Sequence, residues 1–157
     1  MLNLLALLVG KAIIFLSNSL NLGSGSTWPG HIALWLNSNF IKEILRSNPR
    51  GLRLKVVIIA GTNGKTTTGK LIAEILRSNN KSVIENAAGA NLLNGLASTI
   101  INGVTLSSLP RPPLGRLNRD YLIFESDENA LPHVIEQTNP DYLICLNLFL
   151  FLYIYYN

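Results

Sequence analysis

The sequence predicts an α/β fold with a mainly parallel sheet, and three features of the chain indicate it. A β-branched, apolar run at 54–60 is flanked by turn-forming residues, which is typical of a strand buried on both faces of a sheet. A glycine-rich turn and an amphipathic segment at 66–77 follow directly, and residues 82–84 begin a second strand. Strand, loop, helix and strand within about thirty residues form a βαβ unit.

Two apolar helical segments precede this unit. Residues 1–20 are predicted to form a helix, whose apolar part at 1–16 is shorter than the roughly 20 residues that span a bilayer. This part lacks a basic leader and a small-residue cleavage site, so we expect a buried helix rather than a signal peptide, with membrane-surface contact as the alternative. A turn-rich stretch follows at 23–30, where Trp28 is expected to pack, and helical spacing resumes over 31–45.

The alternation of helices and strands continues to the end of the chain. The helix at 66–77 carries four apolar residues predicted to form its inner face: Leu71, Ile72, Ile75 and Leu76. The later elements are a helix at 92–101, an exposed connector at 110–113, a strand at 121–125, a helix at 130–137 and a buried strand at 142–147. Cys145, the only cysteine, is expected to be buried in that last strand, and no internal disulfide or thiolate metal cluster can form.

Composition and charge fit a globular domain. Of the 157 residues, 48% are apolar and 14% are charged, which supplies a core and is too little charge for a disordered chain. The formal net charge is +4, without a run of lysines or arginines that would bind nucleic acid. No nucleic-acid partner is therefore expected, and nucleotides are compatible with this charge.

The loop after the first predicted strand is suited to phosphate. It consists of Gly61, Thr62, Asn63, Gly64, Lys65, Thr66 and Thr67. Its glycines permit a close backbone approach, so that successive N–H groups form a nest for anionic oxygens, and the helix start adds unpaired N–H groups. Lys65 would reach the β- and γ-phosphates, and Thr66 would offer its hydroxyl to Mg²⁺. A full G-x-x-x-x-G-K-[ST] motif would need glycine at Ile59, so this is a shorter variant, and a chance glycine-rich turn is the alternative.

An acidic residue is needed to complete such a metal site, because Mg²⁺ prefers carboxylate and phosphate oxygens. The run Glu125-Ser126-Asp127-Glu128 follows the predicted strand at 121–124, and ligands of open α/β sheets bind at the carboxyl ends of strands. Glu125 is therefore the candidate metal ligand. The alternative is that these acids are solvated and lie at the start of the next helix.

In this context the segment G-T-N-G-K-T-T resembles the ATP loop of the Mur ligase family. Further segments resemble the MurT branch of that family, the ligase subunits of lipid II isoglutaminyl synthases. The first is 23–34, which contains Gly-Ser-Gly-Ser and Pro-Gly-His-Ile-Ala-Leu, and the second is 89–95, which contains Gly-Ala-Asn-Leu. The other two are 125–132 and 147–149. The resemblance covers approximately residues 4–149.

The resemblance implies an ATP-dependent carbon–nitrogen ligase of peptidoglycan synthesis. Residues 61–67 would bind ATP, Lys65 and Glu125 would be catalytic, and Thr66 and Glu125 would hold Mg²⁺. The enzyme would activate the glutamate carboxylate of the lipid II stem peptide as an acyl phosphate and amidate it with ammonia from a GatD-like glutaminase partner. Asn86 and Asn91 would line the reaction site or lie in turns. The implied location is cytoplasmic, with contact at the inner face of the membrane left open.

The sequence departs from the family after residue 149. The family continues with an Arg-Asp-Gln-Leu-Asp-Arg segment, a zinc-binding insertion and a further domain, whereas residues 150–157 are apolar and uncharged. We expect a truncated chain with a helical segment at 1–50, a partial ATP-binding domain with an incomplete sheet at 51–149 and a divergent tail at 150–157. No zinc site and no activity of the fragment alone are expected.

Two other functions fit the same residues. The chain would also suit another Mur-family amino-acid ligase or a folylpolyglutamate ligase, since G-T-N-G-K-T-T does not specify the acceptor. A protein from a different class, a non-catalytic nucleotide-binding or interaction protein with apolar ends that dock on a membrane or a partner, is the second alternative.

Overall fold

The computed structural model of the chain describes residues 2–20, 27–47, 54–86, 90, 92–104, 117 and 119–147. The predicted connector at 110–113, most of the Gly-Ala-Asn segment and the tail at 150–157 lie outside these residues. The helices are α1 (Leu2–Ser19), α2 (Trp28–Leu36), α3 (Phe40–Arg46), α4 (Lys65–Ser78), α5 (Leu93–Gly103) and α6 (Leu131–Thr138). The strands are β1 (Lys55–Ala60), β2 (Val83–Glu85), β3 (Tyr121–Ser126) and β4 (Tyr142–Cys145).

The four strands form one sheet in the order β2-β3-β1-β4, and every pair of neighbours is parallel. The predicted α/β fold with a parallel sheet is therefore confirmed. In the register of β1 with β3, Ile59 lies beside Glu125 and Ala60 beside Ser126. Because parallel strands end at the same edge, β1, β3 and β4 direct their following residues to one place.

On one face of the sheet, here called the thick face, β1 and β3 share one buried core with α1, α2, α3, α5 and α6. This core includes Ile58 of β1 and Phe124 of β3, both without exposed surface. The amino-terminal helices share this core, since α2 packs closely on α5. A Cβ on Gly30 of α2 would lie 1.8 Å from the backbone oxygen of Asn94, so only glycine permits this approach.

The opposite face, here called the thin face, is covered by α4. Four buried residues form its core: Val57, Ile59, Ala73 and Ile123. Ile72 and Leu76 pack against this core as predicted, but Leu71 and Ile75 are 60% and 54% exposed, so their assignment to the inner face was wrong. The small residues Gly69 and Ala73 face the sheet, and α4 has no second layer over its flanks among the described residues.

Strand β4 differs from its prediction as a buried strand. Among the described strands it lies at the edge of the sheet and pairs with β1 alone, and Tyr142 and Leu143 are 52% and 45% exposed. Cys145 is exposed as well, so its predicted burial was wrong. An apolar run predicts a strand, but its burial depends on neighbours that the run itself does not determine.

The segment predicted as one helix at 31–45 forms two. Helix α2 ends at Leu36 and α3 begins at Phe40, and the backbone N–H of Asn39 donates to Asn37 Oδ1 at 3.0 Å between them. Asparagine favours such local side-chain bonds over helix continuation. Trp28 lies in the first turn of α2 and is 69% exposed, so the prediction of a packed turn residue was wrong. The following proline is tolerated there because the first helical N–H groups have no intrahelical partner.

Helix α1 confirms the predicted helix at 1–20, but three of its 18 residues are buried, so it is not the buried helix that was expected. Ala6, Leu7 and Gly10 face the core, whereas six exposed positions between residues 2 and 16 are all apolar: Leu2, Leu5, Leu8, Ala12, Phe15 and Leu16. By length and composition, α1 is the one helix in the described part of the chain that could cross a membrane. Core helices of soluble proteins and signal sequences share these properties, so length and composition alone do not place α1 in a bilayer.

Candidate functional site

The predicted phosphate loop connects β1 to α4. Gly61 and Gly64 both have positive φ angles, 145° and 83°, which side chains of L-residues disfavour. A Cβ on Gly61 would also lie 2.8 Å from Asn147 Oδ1. Both glycines of the motif are thus required by the backbone path of the loop.

Helix α4 presents free backbone donors at its start. The first backbone bond of the helix runs from Thr68 N–H to Gly64 O at 2.9 Å. The N–H groups of Lys65, Thr66 and Thr67 have no acceptor within the described residues. Such unpaired donors, together with the positive end of the helix dipole, suit an anion such as phosphate.

Glu125 lies next to this helix start. Thr66 Oγ1 donates to Glu125 Oε2 at 2.8 Å, and Glu125 is only 7% exposed. The backbone N–H of Glu125 donates to Asn86 Oδ1 at 3.0 Å, which ties the end of β3 to the residue after β2. The structure therefore brings together the two side chains predicted to hold Mg²⁺, although their role in metal binding stays a prediction.

Two further acids of the same run contact the loop. Thr62 Oγ1 donates to Glu128 Oε1 at 2.8 Å. Lys65 Nζ lies 3.2 Å from Asp127 Oδ1 and donates to Gly61 O at 2.7 Å. The alternative considered from the sequence was that these acids are solvated and lie at the start of the next helix. Their side chains instead contact the loop. Sequence analysis singled out Glu125 alone, and the signal for the others was their position directly after the same strand.

Asn147 reaches the loop from the end of β4. Its side-chain oxygen accepts from the backbone N–H of Thr62 at 2.8 Å and, less closely, from that of Asn63 at 3.4 Å. Sequence analysis did not predict this residue as part of the site. Since β1 and β4 are neighbours and parallel, the position after β4 must lie beside the loop after β1.

Asn86 is a second buried amide at this edge. It is 8% exposed, its Oδ1 accepts from Glu125, and its Nδ2 donates to Ala90 O at 3.0 Å. Asn86 thus links the backbone N–H of Glu125 to the backbone oxygen of Ala90. Asn91, the other asparagine considered from the sequence, lies outside the described residues.

The side chains present fit a magnesium ion that arrives with a nucleotide. Within the described ranges, no group of three or more His, Cys, Asp or Glu side chains is placed to hold a metal by itself. Mg²⁺ is usually held by one or two carboxylates together with phosphate oxygens and water, which requires no such group. A buried carboxylate and a hydroxyl 2.8 Å apart, beside free N–H groups, meet that need.

Comparison with known proteins finds similar sequences that share one description. No family model matches the chain. A protein described as "Lipid II isoglutaminyl synthase (glutamine-hydrolyzing) subunit MurT" from Streptococcus pneumoniae (strain ATCC BAA-255 / R6) is 31% identical over 145 residues, which are 92% of this chain and 29% of that protein. The protein of the same description from Staphylococcus aureus (strain COL) is 30% identical over 125 residues, 80% of this chain and 25% of that protein. The chain thus spans less than a third of the curated relatives it matches.

A solved structure has the same fold. The crystal structure of MurF from Acinetobacter baumannii aligns with a TM-score of 0.53 and 20% sequence identity, and the alignment covers 74% of this chain and 22% of that chain. At this identity the match concerns the fold alone. By sequence the chain is similar to MurT subunits and by fold to MurF, which confirms the predicted resemblance to the Mur ligase family.

Proposed function

We propose that this chain is the ATP-binding portion of a Mur-type ligase that acts in peptidoglycan synthesis. The observation that carries the proposal is the contact of Thr66 with Glu125 at the start of α4, beside unpaired N–H groups. This contact places the two side chains predicted to hold Mg²⁺ beside donors suited to an anion, at one edge of the sheet. The names of the similar proteins support the ligase class.

The proposed reaction has two steps. A carboxylate oxygen of the acceptor attacks the γ-phosphorus of ATP, so that an acyl phosphate forms and ADP leaves. Ammonia then attacks the acyl carbon and the C–O bond to the phosphoryl group breaks, so that an amide forms and the proton lost from the nitrogen leaves with inorganic phosphate as HPO₄²⁻. Phosphorylation is needed because an ionised carboxylate is a poor electrophile.

The residues of this chain serve the first step. The N–H groups at the start of α4 hold the phosphates, and Lys65 places its ammonium group against the charge that develops on the γ-phosphate. Lys65 now contacts Asp127 and Gly61 O, so nucleotide binding exchanges these partners for phosphate oxygens. Thr66 and Glu125 would hold Mg²⁺, which neutralises phosphate charge when bound.

The acceptor and the nitrogen donor form the finer part of the proposal. Both MurT relatives are named as subunits of a glutamine-hydrolysing lipid II isoglutaminyl synthase. We assign the glutamate of the lipid II stem peptide as the acceptor and a GatD-like glutaminase as the partner. Because the chain spans 25–29% of these relatives, we expect it to bind nucleotide without completing the reaction alone.

Nucleotide binding is tested by titration of the purified full chain with Mg·ATP. We expect Lys65→Ala to weaken binding by about tenfold or more, because a charge-assisted contact to phosphate is lost. Lys81→Ala is the control: this exposed lysine follows the far end of α4, about 21 Å from the loop along the 14-residue helix. Equal affinity for all three proteins, or no binding by the folded wild-type chain, would contradict the proposal.

The acceptor is tested with the glutaminase subunit, lipid II and amide-¹⁵N-glutamine together. Transfer of ¹⁵N to lipid II, measured by mass spectrometry in a sample that includes a complete MurT subunit carrying this segment, supports the amidating assignment. ADP release with a free amino acid or a folate and none with lipid II would favour another Mur-family or folylpolyglutamate ligase.

A second proposal concerns location. We propose a cytoplasmic protein that contacts the inner face of the membrane through α1 and α2. The exposed surface of α1 is apolar along residues 2–16, and Trp28 and Trp35 of the adjacent α2 are 69% and 84% exposed. Tryptophan is enriched where proteins meet the lipid headgroup region.

Flotation with phosphatidylglycerol vesicles tests this contact. Phe15→Ser combined with Trp35→Ser should lower the bound fraction several-fold, because both side chains are exposed on the proposed surface. Leu71→Ser is the matched control, since Leu71 is 60% exposed on the other side of the sheet. If the wild-type chain stays unbound, or if the control loses as much, the membrane proposal fails and the ATP-binding proposal stands.

A further inference from the structure

We infer that Asn147 is a positioning residue for nucleotide binding, an inference that rests on the proposed function. Its neutral side-chain oxygen anchors the amides of Thr62 and Asn63 and leaves the amides at the start of α4 for phosphate. The residue stands outside the Gly61–Thr67 motif, on a different strand.

The position of Asn147 is fixed by the sheet. Strand β4 pairs with β1 so that Cys145 lies beside Ala60, and the Leu146 N–H donates to Ala60 O at 3.0 Å. One residue later, Asn147 Oδ1 accepts from Thr62 N–H at 2.8 Å and lies 3.4 Å from the Asn63 nitrogen. The end of β4 thus holds the loop that follows β1.

The loop and this strand end fit closely together. A Cβ on Gly61 would lie 2.8 Å from Asn147 Oδ1 and 3.2 Å from Leu146 Cβ. The absence of a side chain at Gly61 therefore makes room for the carboxamide of Asn147. Gly61 of the motif and Asn147 outside it therefore pack directly against each other.

Five backbone N–H groups of the loop fall into two groups. Those of Thr62 and Asn63 are directed at Asn147, whereas those of Lys65, Thr66 and Thr67 have no acceptor in the described part of the chain. An anion binds best to donors that no protein group uses. Phosphate is therefore directed to the start of α4, next to Thr66 and Glu125.

The neutrality of Asn147 matters because the opposite side of the loop is acidic. Glu125, Asp127 and Glu128 all contact loop residues, with Lys65 as the one ammonium group among these contacts. A carboxylate at position 147 would accept the same N–H groups but would place a fourth negative charge beside the phosphates. An amide anchors the loop without this repulsion.

Two substitutions in the full chain separate anchoring from charge. Asn147→Asp keeps the shape and the acceptor, so amide hydrogen exchange at Thr62 and Asn63 should stay slow while affinity for Mg·ATP falls about tenfold or more. The loss should be larger for ATP than for ADP, because repulsion grows with phosphate charge. Asn147→Leu removes the acceptor, so exchange at both amides should accelerate. Asn79→Asp, at the far end of α4, is the charge control and should leave affinity unchanged.

The outcomes distinguish this inference from the proposed function. If the wild-type chain binds Mg·ATP and Asn147→Asp binds it equally well, the positioning role is overturned and the ATP site remains. Exchange at Thr62 and Asn63 that is unchanged in Asn147→Leu also overturns it, whether or not nucleotide binds. A wild-type chain that binds no nucleotide defeats the proposed function itself and the inference with it.

Discussion

The two faces of the sheet are built differently although they share the same strands. In the described part of the chain, five helices share the thick-face core with Ile58 and Phe124, whereas α4 packs against Ile59 and Ile123 on the thin face. The thin face also carries the site, because α4 begins at the phosphate loop and Thr66 meets Glu125 there. Apolar packing that stabilises the chain and polar contacts that form the site are therefore largely separated.

The largest expected effects come from two adjacent isoleucines of β1. Ile58 and Ile59 are both fully buried but point to the thick and thin faces, respectively. We expect Ile58→Ala to lower the free energy of unfolding by about 4 kcal/mol and Ile59→Ala by about 2.5 kcal/mol. The thin face can relax around the lost atoms, since α4 is the one helix that covers it among the residues that the structure describes. Urea denaturation of both variants measures the difference, and a larger loss for Ile59→Ala would contradict the contrast between the faces.

Substitutions of two helical glycines in the helices of the thick face should have smaller effects on the free energy of unfolding. A Cβ on Gly30 would meet backbone at 1.8 Å, whereas one on Gly10 of α1 would meet the end of the Ile101 side chain at 2.8 Å. Backbone cannot move away as a flexible side chain can. Gly30→Ala should therefore cost about 2–3 kcal/mol of unfolding free energy, and Gly10→Ala about 1 kcal/mol or less, since alanine also favours the helix.

Thermal unfolding of these two variants decides the point. A Gly30→Ala protein as stable as the wild type would show that α2 does not lie against α5 as described. A Gly10→Ala protein destabilised to the same extent would show that the thick face tolerates no side-chain adjustment.

The smallest expected effects lie on α4, at the thin face. Leu71→Gln should change the free energy of unfolding by no more than about 0.5 kcal/mol, because Leu71 is 60% exposed. Leu76→Gln should cost about 1–2 kcal/mol, because Leu76 packs against the thin-face core. Chemical denaturation checks both values. Equal losses would indicate that the exposed flank of α4 is covered in solution.

Much of this fold could be predicted from the sequence because its signals are local. The β-branched run of β1, the glycine-rich loop and the amphipathic α4 follow one another, and their order fixes a parallel βαβ unit. The resemblance to the Mur ligase family was also carried by local signals, namely the loop and four short segments spread over residues 23–149. The division into residues 1–50, 51–149 and 150–157 stays a prediction.

The features that sequence analysis missed depend on which elements become neighbours. Cys145 and Leu71 belong to apolar patterns that predict burial, but one lies in an edge strand and the other on the open flank of α4. Asn147 and Glu128 contact the loop from the ends of two other strands. Periodicity predicts each strand, but not that β3 and β4 both flank β1.

Titration of the full chain with ATP, with and without Mg²⁺, tests the central claim most directly. If the carboxyl edge of the sheet is a Mg·ATP site, Mg²⁺ should tighten ATP binding to the wild type by about tenfold or more, and Glu125→Gln should abolish most of that gain. An equal effect of Mg²⁺ on both proteins, or no ATP binding by the folded wild type, would contradict the account.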